Sequence, residues 1–404
     1  VSAQLDVSRW DPSDPAFRAD PYAWYGALRR DSPVHYREDV GWVVSRFDDV
    51  EAILRDDRFQ VATPSPWREA VAAATSPALG LLGEHSLLFL DAPDHTRVRS
   101  AVSGSFSRSR IARLRDQVSA TVDHLLDQVD DGEDFDLVKA VAEPLPTLTV
   151  TSMLGVPDAD WSQLHSWTVD ITGFDELPIA WDKLAAADAA ATEFKAYCDE
   201  LLAERRQHPG DDLVSALVAS TVPGGGLDDD EVVALLMLLL IAGHDTTLSL
   251  VSSGINVLLE HPGEAERLRA DPGLVVSAID ELLRFESPLQ VASGGGRWPT
   301  EPVTMHGITM EPGTPVRLLL GSANRDPDAY EAPEVLDLSR QGRPHLAFGR
   351  GTHFCLGSVL GKLEAQVAIP KILDRFPHLT RAVEKVEWRP SFTVRQLTGL
   401  MVRP

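Results

Sequence analysis

Cys355 is the residue of this chain best placed to do chemistry. It stands in Phe348-Gly349-Arg350-Gly351-Thr352-His353-Phe354-Cys355-Leu356-Gly357, with two glycines before it and one after. Glycine lets backbone N–H groups approach a sulfur closely. The helical pattern from Ser358 to Phe376 puts a helix N-terminus beside it, which favours an anion. Both features hold a thiolate. Other readings of the same residues stay open: a structural cysteine buried in a turn, or a cysteine protease using His353. A tetrahedral zinc site needs more soft ligands than the chain offers nearby.

The second unusual stretch is Ala242-Gly243-His244-Asp245-Thr246-Thr247, inside a long apolar helical pattern. A glycine, an acid and two β-branched hydroxyl residues interrupt a run of Leu and Ile. Ser and Thr can bond the i−4 carbonyl and bend a helix, while Gly permits close approach of a flat ligand. A helix kink with a buried polar defect is the alternative. His244 reads as a helix-face residue. Glu281-Leu282-Leu283-Arg284 pairs an acid and a base on one helix face, a spacing too common to mean much alone.

The segment Phe-Gly-x-Gly-x-His-x-Cys-x-Gly resembles the haem-binding signature of the cytochrome P-450 superfamily, the haem-thiolate monooxygenases. The resemblance implies that Cys355 is the axial iron ligand. It also places Phe348, Gly349, His353 and Gly357 around haem b, with His353 donating to a propionate. Arg350 and Gly361-Lys362 are modest departures from the bacterial pattern. Glu281 and Arg284 resemble the family's Glu-x-x-Arg helix, with Arg340 completing a buried network. Asn324-Arg325-Asp326-Pro327 is likewise a familiar bacterial segment, and Leu336 and Tyr330 replace the usual Phe.

Haem propionates need cationic donors when buried. Asp94-His95-Thr96-Arg97-Val98-Arg99 resembles the family's propionate-binding stretch, carried by His95 and Arg99, and Arg297 matches a third donor. Each taken alone reads as a solvated surface cation. Ala242 and Gly243 are assigned to the cofactor face and Thr246 to a hydrogen bond with dioxygen or its ordered water. Asp245 would relay protons inward from solvent, since cleaving O–O heterolytically needs thiolate electron donation and delivered protons.

The expected activity is oxidation, by hydroxylation or epoxidation, of a largely apolar small molecule in natural-product metabolism. Desaturation, ring closure or oxidative coupling is the alternative outcome, and a non-catalytic haem sensor is the alternative class. Trp67, Leu87, Leu88, Phe174, Leu238, Val291, Leu397 and Leu400 are the expected apolar contacts, with Gln290, Ser293 and Thr398 as orienting groups. Gly294-Gly295-Gly296 would enlarge the pocket or let its wall move. With no flavin-binding segment in the 404 residues, electrons are expected from a separate ferredoxin and ferredoxin reductase.

The elements that must position these residues are mostly helical. Asp228 offers an N-cap and Glu231 the N3 acid of a capping box, starting a helix that runs to Glu260, where His261-Pro262-Gly263 stops it. At about 1.5 Å per residue its length approaches about 50 Å. Leu235 to Ile241 is apolar all round and is expected to be buried on every side. Apolar stripes predict further helices over Ser109–Val129 and Ala180–Arg206. Pro33–Tyr36 and Trp42–Ser45 read as a hairpin, and Val303–Ile308 and Pro315–Leu320 as strands around Glu311-Pro312-Gly313. The expected architecture is mainly α with a small β region: a single cytochrome P-450 domain over 1–404, its long central helix above the haem.

Composition agrees. Lys plus Arg total 37 against 61 Asp plus Glu, a net charge of −24, which argues against nucleic acid or an anionic membrane as partner. Only Cys198 and Cys355 occur, so no disulfide framework is expected, and the polar N-terminal segment lacks a signal-peptide pattern. The longest apolar run, Val232–Ala242, is about half of what a membrane helix needs. The expectation is a cytoplasmic enzyme. Arg99 being committed to a propionate, Arg97, Arg108, Arg110, Arg113 and Arg115, near Arg350 and Lys362, would form a basic patch that steers an acidic ferredoxin, with solvation or pairing to Glu133 and Asp134 as the alternative.

Overall fold

In the computed structural model, which describes residues 5–62, 75–130, 132–172, 183–293 and 296–404, Asp228 and Glu231 close the capping box. Glu231 N donates to Asp228 Oδ1 at 2.8 Å and Asp228 N to Glu231 Oε2 at 3.0 Å. The helix they start is Asp229–Glu260, 32 residues long. It is long and apolar enough to cross a bilayer, but 67% of its most apolar window is buried inside the protein, the position of a core helix.

The chain divides into two compact units. The first comprises Val1–Gln60, Ser119–Glu143 and Thr246–Pro404. It holds every strand found among the described residues. Val34–Arg37 and Gly41–Val44 form the expected hairpin in the register Val34↔Val44, and Val316–Leu318 joins it in parallel. Phe135–Asp136, Met401–Arg403 and Thr380–Arg381 form a second small sheet, and Phe59–Gln60 pairs with Trp298–Pro299. Around the first sheet, Val44, Phe47, Ile53, Leu54, Leu318 and Leu346 share one apolar cluster. A second cluster gathers Trp10, Phe17, Tyr25, Val43, Val291 and Phe392.

The second unit comprises Val61–Val118 and Pro144–Asp245. Its described residues contain helices and no strand. Asp94–Ser103, Pro144–Leu154, Trp161–Thr172 and Leu184–Gln207 are its main helices, together with the first half of the long one.

Two element boundaries differ from the sequence reading. Val303–Ile308 is not one strand but two short ones, Val303–Met305 and Ile308–Met310, paired through a tight turn. His306 and Gly307 both take positive φ, 51° and 76°, the backbone that a two-residue hairpin turn demands. Ser109–Val129 breaks into Arg108–Ala112 and Arg115–Asp127. There Arg113 N and Leu114 N donate to the carbonyls three residues back, Arg110 O and Ile111 O, and the turn tightens.

Candidate functional site

The loop that carries Cys355 is fastened at its root. Leu346 N donates to Asn324 Oδ1 at 2.7 Å, and Asn324 Nδ2 donates to Ser287 Oγ at 2.8 Å. The carbonyl of Asn324 accepts from Arg284 Nη1 at 2.9 Å. Arg284 grips Glu281 through bonds of 2.7 and 2.8 Å, and Arg340 Nε reaches the same carboxylate at 3.1 Å. The expected three-residue network therefore forms. Glu281 and Arg284 are buried, and hydrogen bonding to both charges is the condition for burying them.

Beyond Leu346 the chain turns sharply. Gly349 N donates to Leu346 O at 2.8 Å, and Cys355 N donates to Phe348 O at 3.0 Å. Gly351 has φ +70°, and a Cβ there would lie 2.3 Å from Leu54 O, so no larger residue fits. The turn Gly351–His353 leads to the half-buried Cys355, and the helix Ser358–Arg375 begins three residues later. Phe348, Gly349, His353, Cys355 and Gly357 are thus brought together in one loop. Cys198 is no competitor: it is 1% exposed, and burial pushes its thiol up, far out of reach of ionisation near neutral pH.

The cations beside this loop are engaged. Lys362 Nζ lies 2.5 Å from Asp280 Oδ1, which His345 Nε2 also approaches at 3.4 Å. Burial opposes the charge on Asp280, but these two donors outweigh it and hold the carboxyl below its ordinary range. Arg350 donates to the carbonyls of Gly349 and Pro344, and its Nε stands 3.6 Å from Glu51.

On the long helix, burial on every side fails at one face. Leu238, Leu239, Gly243 and Thr246 are half-buried and Ala242 is exposed, while Val232 to Met237 are buried. Ile241 is half-buried as well, and positions 238, 242 and 246 lie one turn apart, so the most open line of the helix runs through the small Ala242. The space spared by Gly243 lies elsewhere: its Cβ would stand 3.2 Å from Val150, so this glycine lets Pro144–Leu154 pack close. The two threonines also divide. Thr247 is buried and donates to Glu364 Oε2 at 3.4 Å, whereas Thr246 is on the accessible face. Gly361 makes that close approach feasible, since its Cβ would be 3.5 Å from Thr247 Oγ1.

Asp245 departs from the expectation of a carboxylate nearer solvent. It is 8% exposed, and the neighbouring His244 is 3% exposed. His244 Nδ1 is 2.9 Å from Thr147 Oγ1. Nothing in the sequence pointed to Thr147, a partner 97 residues away.

Of the expected propionate donors, His95 and Arg99 lie one turn apart on Asp94–Ser103, His95 buried and Arg99 half-buried. Arg297 is buried, with Nη1 donating to the carbonyls of Ser293 and Gly296. Arg97 leaves the basic patch, because it pairs with Glu231. Arg108, Arg110 and Arg113 are exposed and make no ion pair among the described residues, and Asp134 pairs instead with Arg403.

Several expected substrate contacts are spent on packing. Val291 belongs to an apolar core cluster, and Leu397 and Leu400 are buried. Gln290 packs on Gly321, whose Cβ would collide with its Oε1, and its Nε2 donates to Ser287 O. Thr398 Oγ1 donates to Glu387 O. Trp67, Phe174, Gly294 and Gly295 lie outside the described residues.

This donor set suits the cofactor that the resemblance implies. Among the described residues no three His, Cys, Asp or Glu side chains gather into a cage for a free metal ion. A single half-buried thiol at a helix start, with buried Arg297 in the same unit, suits an iron that arrives inside an anionic macrocycle. The small, accessible face at Ala242 suits a flat group.

Comparison with known proteins agrees with this chemistry. The family model "Cytochrome P450" matches residues 180–400. The biotin biosynthesis cytochrome P450 of Bacillus subtilis is 36% identical over 389 residues, 96% of each chain. The cytochrome P450 monooxygenase PikC of Streptomyces venezuelae is 36% identical over 397 residues, 96% of this chain and 92% of that protein. The crystal structure of P450BioI in complex with hexadec-9Z-enoic acid ligated acyl carrier protein superposes with a TM-score of 0.89 at 35% identity, covering 96% of this chain and 99% of that one. The chain belongs to the cytochrome P450 family: it is a haem-containing monooxygenase, an oxidoreductase that takes O2 and a small-molecule substrate.

Proposed function

We propose that Cys355 is the axial ligand of the haem iron and that His95, Arg99, Arg297 and His353 hold the propionates. Ala242, Gly243, Phe348, Gly349 and Gly357 complete the cofactor site in this reading. The observation that carries it is the loop itself. Its glycine backbone, its bond from Cys355 N to Phe348 O and the helix that follows point a half-buried thiol to a helix start, while the other cysteine is sealed and protonated.

Haem bound through a thiolate supplies the activation of O2. The protein's own part is to hold and move protons. Thr246, on the accessible face, presents a hydroxyl that positions a proton without carrying charge. Asp245, one residue earlier, reloads that hydroxyl. Thr247 is excluded from the task by its bond to Glu364. Leu238 and Leu239 on the same face favour an apolar substrate, and the outcome is hydroxylation or epoxidation of a natural-product intermediate.

The electron donors in this reading are a ferredoxin and its reductase. Arg108, Arg110 and Arg113 supply a local positive patch on a chain of net charge −24, and an acidic partner is steered to it. The chain acts as a single cytochrome P-450 domain in the cytoplasm, consistent with its lack of a disulfide framework.

The deciding experiment is reduced-plus-CO absorption spectroscopy on Cys355→Ala and Cys198→Ala. Cys355→Ala loses the thiolate spectrum and Cys198→Ala keeps it. The reverse result overturns the assignment.

A further inference from the structure

The loop that bends Cys355 into place is soft by composition. Gly349 takes a φ of 67°, and a Cβ there would meet nothing within 4 Å, so its surroundings do not fix it. Backbone of this kind keeps a freedom that side-chain ties must remove. Within the first unit, such ties converge on a carboxylate outside the loop. Asp280, on the helix Val275–Phe285, presents Oδ1 to His345 Nε2 at 3.4 Å and to Lys362 Nζ at 2.5 Å. His345 stands at the entry to the loop, and Lys362 on the helix that follows Cys355.

The backbone fixes which nitrogen of the ring carries the hydrogen. Ala347 N donates to His345 Nδ1 at 3.1 Å, so Nδ1 is bare and the hydrogen sits on Nε2, facing Asp280. Burial pushes the pKa of the ring down, against the pull of Asp280, and keeps it neutral. The neutral ring and the paired ammonium meet on Phe348. The His345 ring lies 5.6 Å from the Phe348 ring at a tilt of 49°, and Lys362 Nζ stands 5.6 Å from the same centroid. Phe348 in turn supplies the carbonyl that accepts from Cys355 N. Phe348 and Lys362 flank Cys355 along the chain, so their contact closes the segment that carries the thiol.

We propose that Asp280, His345 and Lys362 form a clasp that holds Phe348 and through it sets the direction of Cys355. All three are therefore positioning residues. The inference rests on the reading of Cys355 as the iron ligand. It gives Lys362 a task other than docking an acidic partner, because Asp280 neutralises its ammonium.

The test compares holoenzyme variants by two readouts. One is hydrogen exchange, followed by mass spectrometry on the peptide spanning 345–357. The other is the share of the ferrous–CO absorption that keeps the thiolate form. Asp280→Ala and Lys362→Met speed the exchange about three- to tenfold, as expected for the loss of one or two polar ties, and lower the thiolate share. Lys362→Arg, which still reaches the carboxylate, holds both readouts at wild type. His345→Asn keeps an acceptor for Ala347 N but not the reach to Asp280, and speeds exchange by a smaller factor. Val34→Ala opens a cavity in the apolar cluster around the first sheet. It lowers the thermal midpoint and leaves both readouts unchanged below it.

Wild-type exchange in Asp280→Ala and Lys362→Met overturns the clasp. Equal acceleration in Val34→Ala does the same, since it would mark general stability alone. So does a Lys362→Met enzyme that is slow only in ferredoxin-supported reduction, the behaviour of a docking charge. Cys355→Ala is measured beside them. If it keeps the thiolate form, the ligand reading fails and the clasp fails with it. If it loses that form while the clasp variants match wild type, the clasp alone fails.

Discussion

Arg97 grips Glu231 with both terminal nitrogens, tying the helix that carries His95 and Arg99 to the first turn of the long helix. Glu231 serves twice, since the same carboxylate accepts the capping bond from Asp228 N. The Arg97 guanidinium first, then the Asp228 N–H, hold its carboxyl below the usual range, with burial opposing them. A depressed carboxylate contributes stability that is present above its unfolded pKa, about 4.3, and is lost as pH falls through the folded value. Glu231→Gln is expected to cost about 1–2 kcal/mol at pH 7. In thermal unfolding across pH, the gap to the wild type closes in the acid range; a gap constant with pH would exclude this pair as its source.

The two thiols differ in reach. Cys355 is half-buried and Cys198 sealed. In apoprotein a disulfide-exchange reagent should titrate one thiol rapidly and the second only on unfolding. Cys355→Ala removes the fast phase, and Cys198→Ala leaves it.

Thr246→Ala should keep haem and lose coupling, diverting NADH to peroxide, with product formation down by about 10²-fold. Thr247→Val should do the opposite, because it breaks a buried bond to Glu364 on the helix after Cys355 and lowers stability by about 1–3 kcal/mol. Peroxide titration and thermal midpoints, measured on both variants, separate the roles. Equal uncoupling in the two would remove the distinction.

Charge reversal at Arg110 or Arg113 should slow ferredoxin-supported reduction without altering substrate-induced spectral shifts. Added salt should mimic it as the Debye length shrinks from about 10 Å at 0.1 M to about 3 Å at 1 M. Arg97→Glu is not a clean probe of docking, because Arg97 is committed to Glu231. A reduction rate indifferent to salt and to both reversals would exclude this docking patch.

Glu281→Gln leaves Arg284 buried with its neutralising charge gone and loosens Arg340. The expected cost is about 3–5 kcal/mol. Haem retention after gel filtration should fall with it, since Arg284 also holds the carbonyl of Asn324, and Asn324 holds Leu346.

What the sequence made legible was what depends on near neighbours. The capping box at Asp228 and Glu231, the hairpin from Val34 to Val44 and the glycine-framed loop around Cys355 are written within a few residues each. The open face at Ala242 was not, since Leu235 to Ile241 has no polar stripe to show which side stays uncovered. The partners that aim the site were hidden for a different reason. Thr147 meets His244 across 97 residues and Phe47 meets Asp326 across 279, distances at which no local pattern records a pairing. The basic cluster misled in the same way: Arg97 reads as surface charge until Glu231 is found beside it.

One circuit in the first unit has a consequence for how the chain is made. Asp326 caps the helix Phe47–Leu54 by accepting from Phe47 N, the far end of that helix abuts Gly351, and the loop returns through Leu346 to Asn324, two residues from Asp326. The ring closes only when segments from both ends of the polypeptide meet. During synthesis at about 5–20 residues per second, the early helix must wait on the order of tens of seconds for its cap. Its apolar face, with Phe47, Val50, Ile53 and Leu54, stays uncovered until those later segments arrive. Contacts of such sequence separation are slow to form, so the cysteine loop is assembled late, and with Cys355 as the proposed iron ligand, cofactor capture belongs to the end of folding rather than its start.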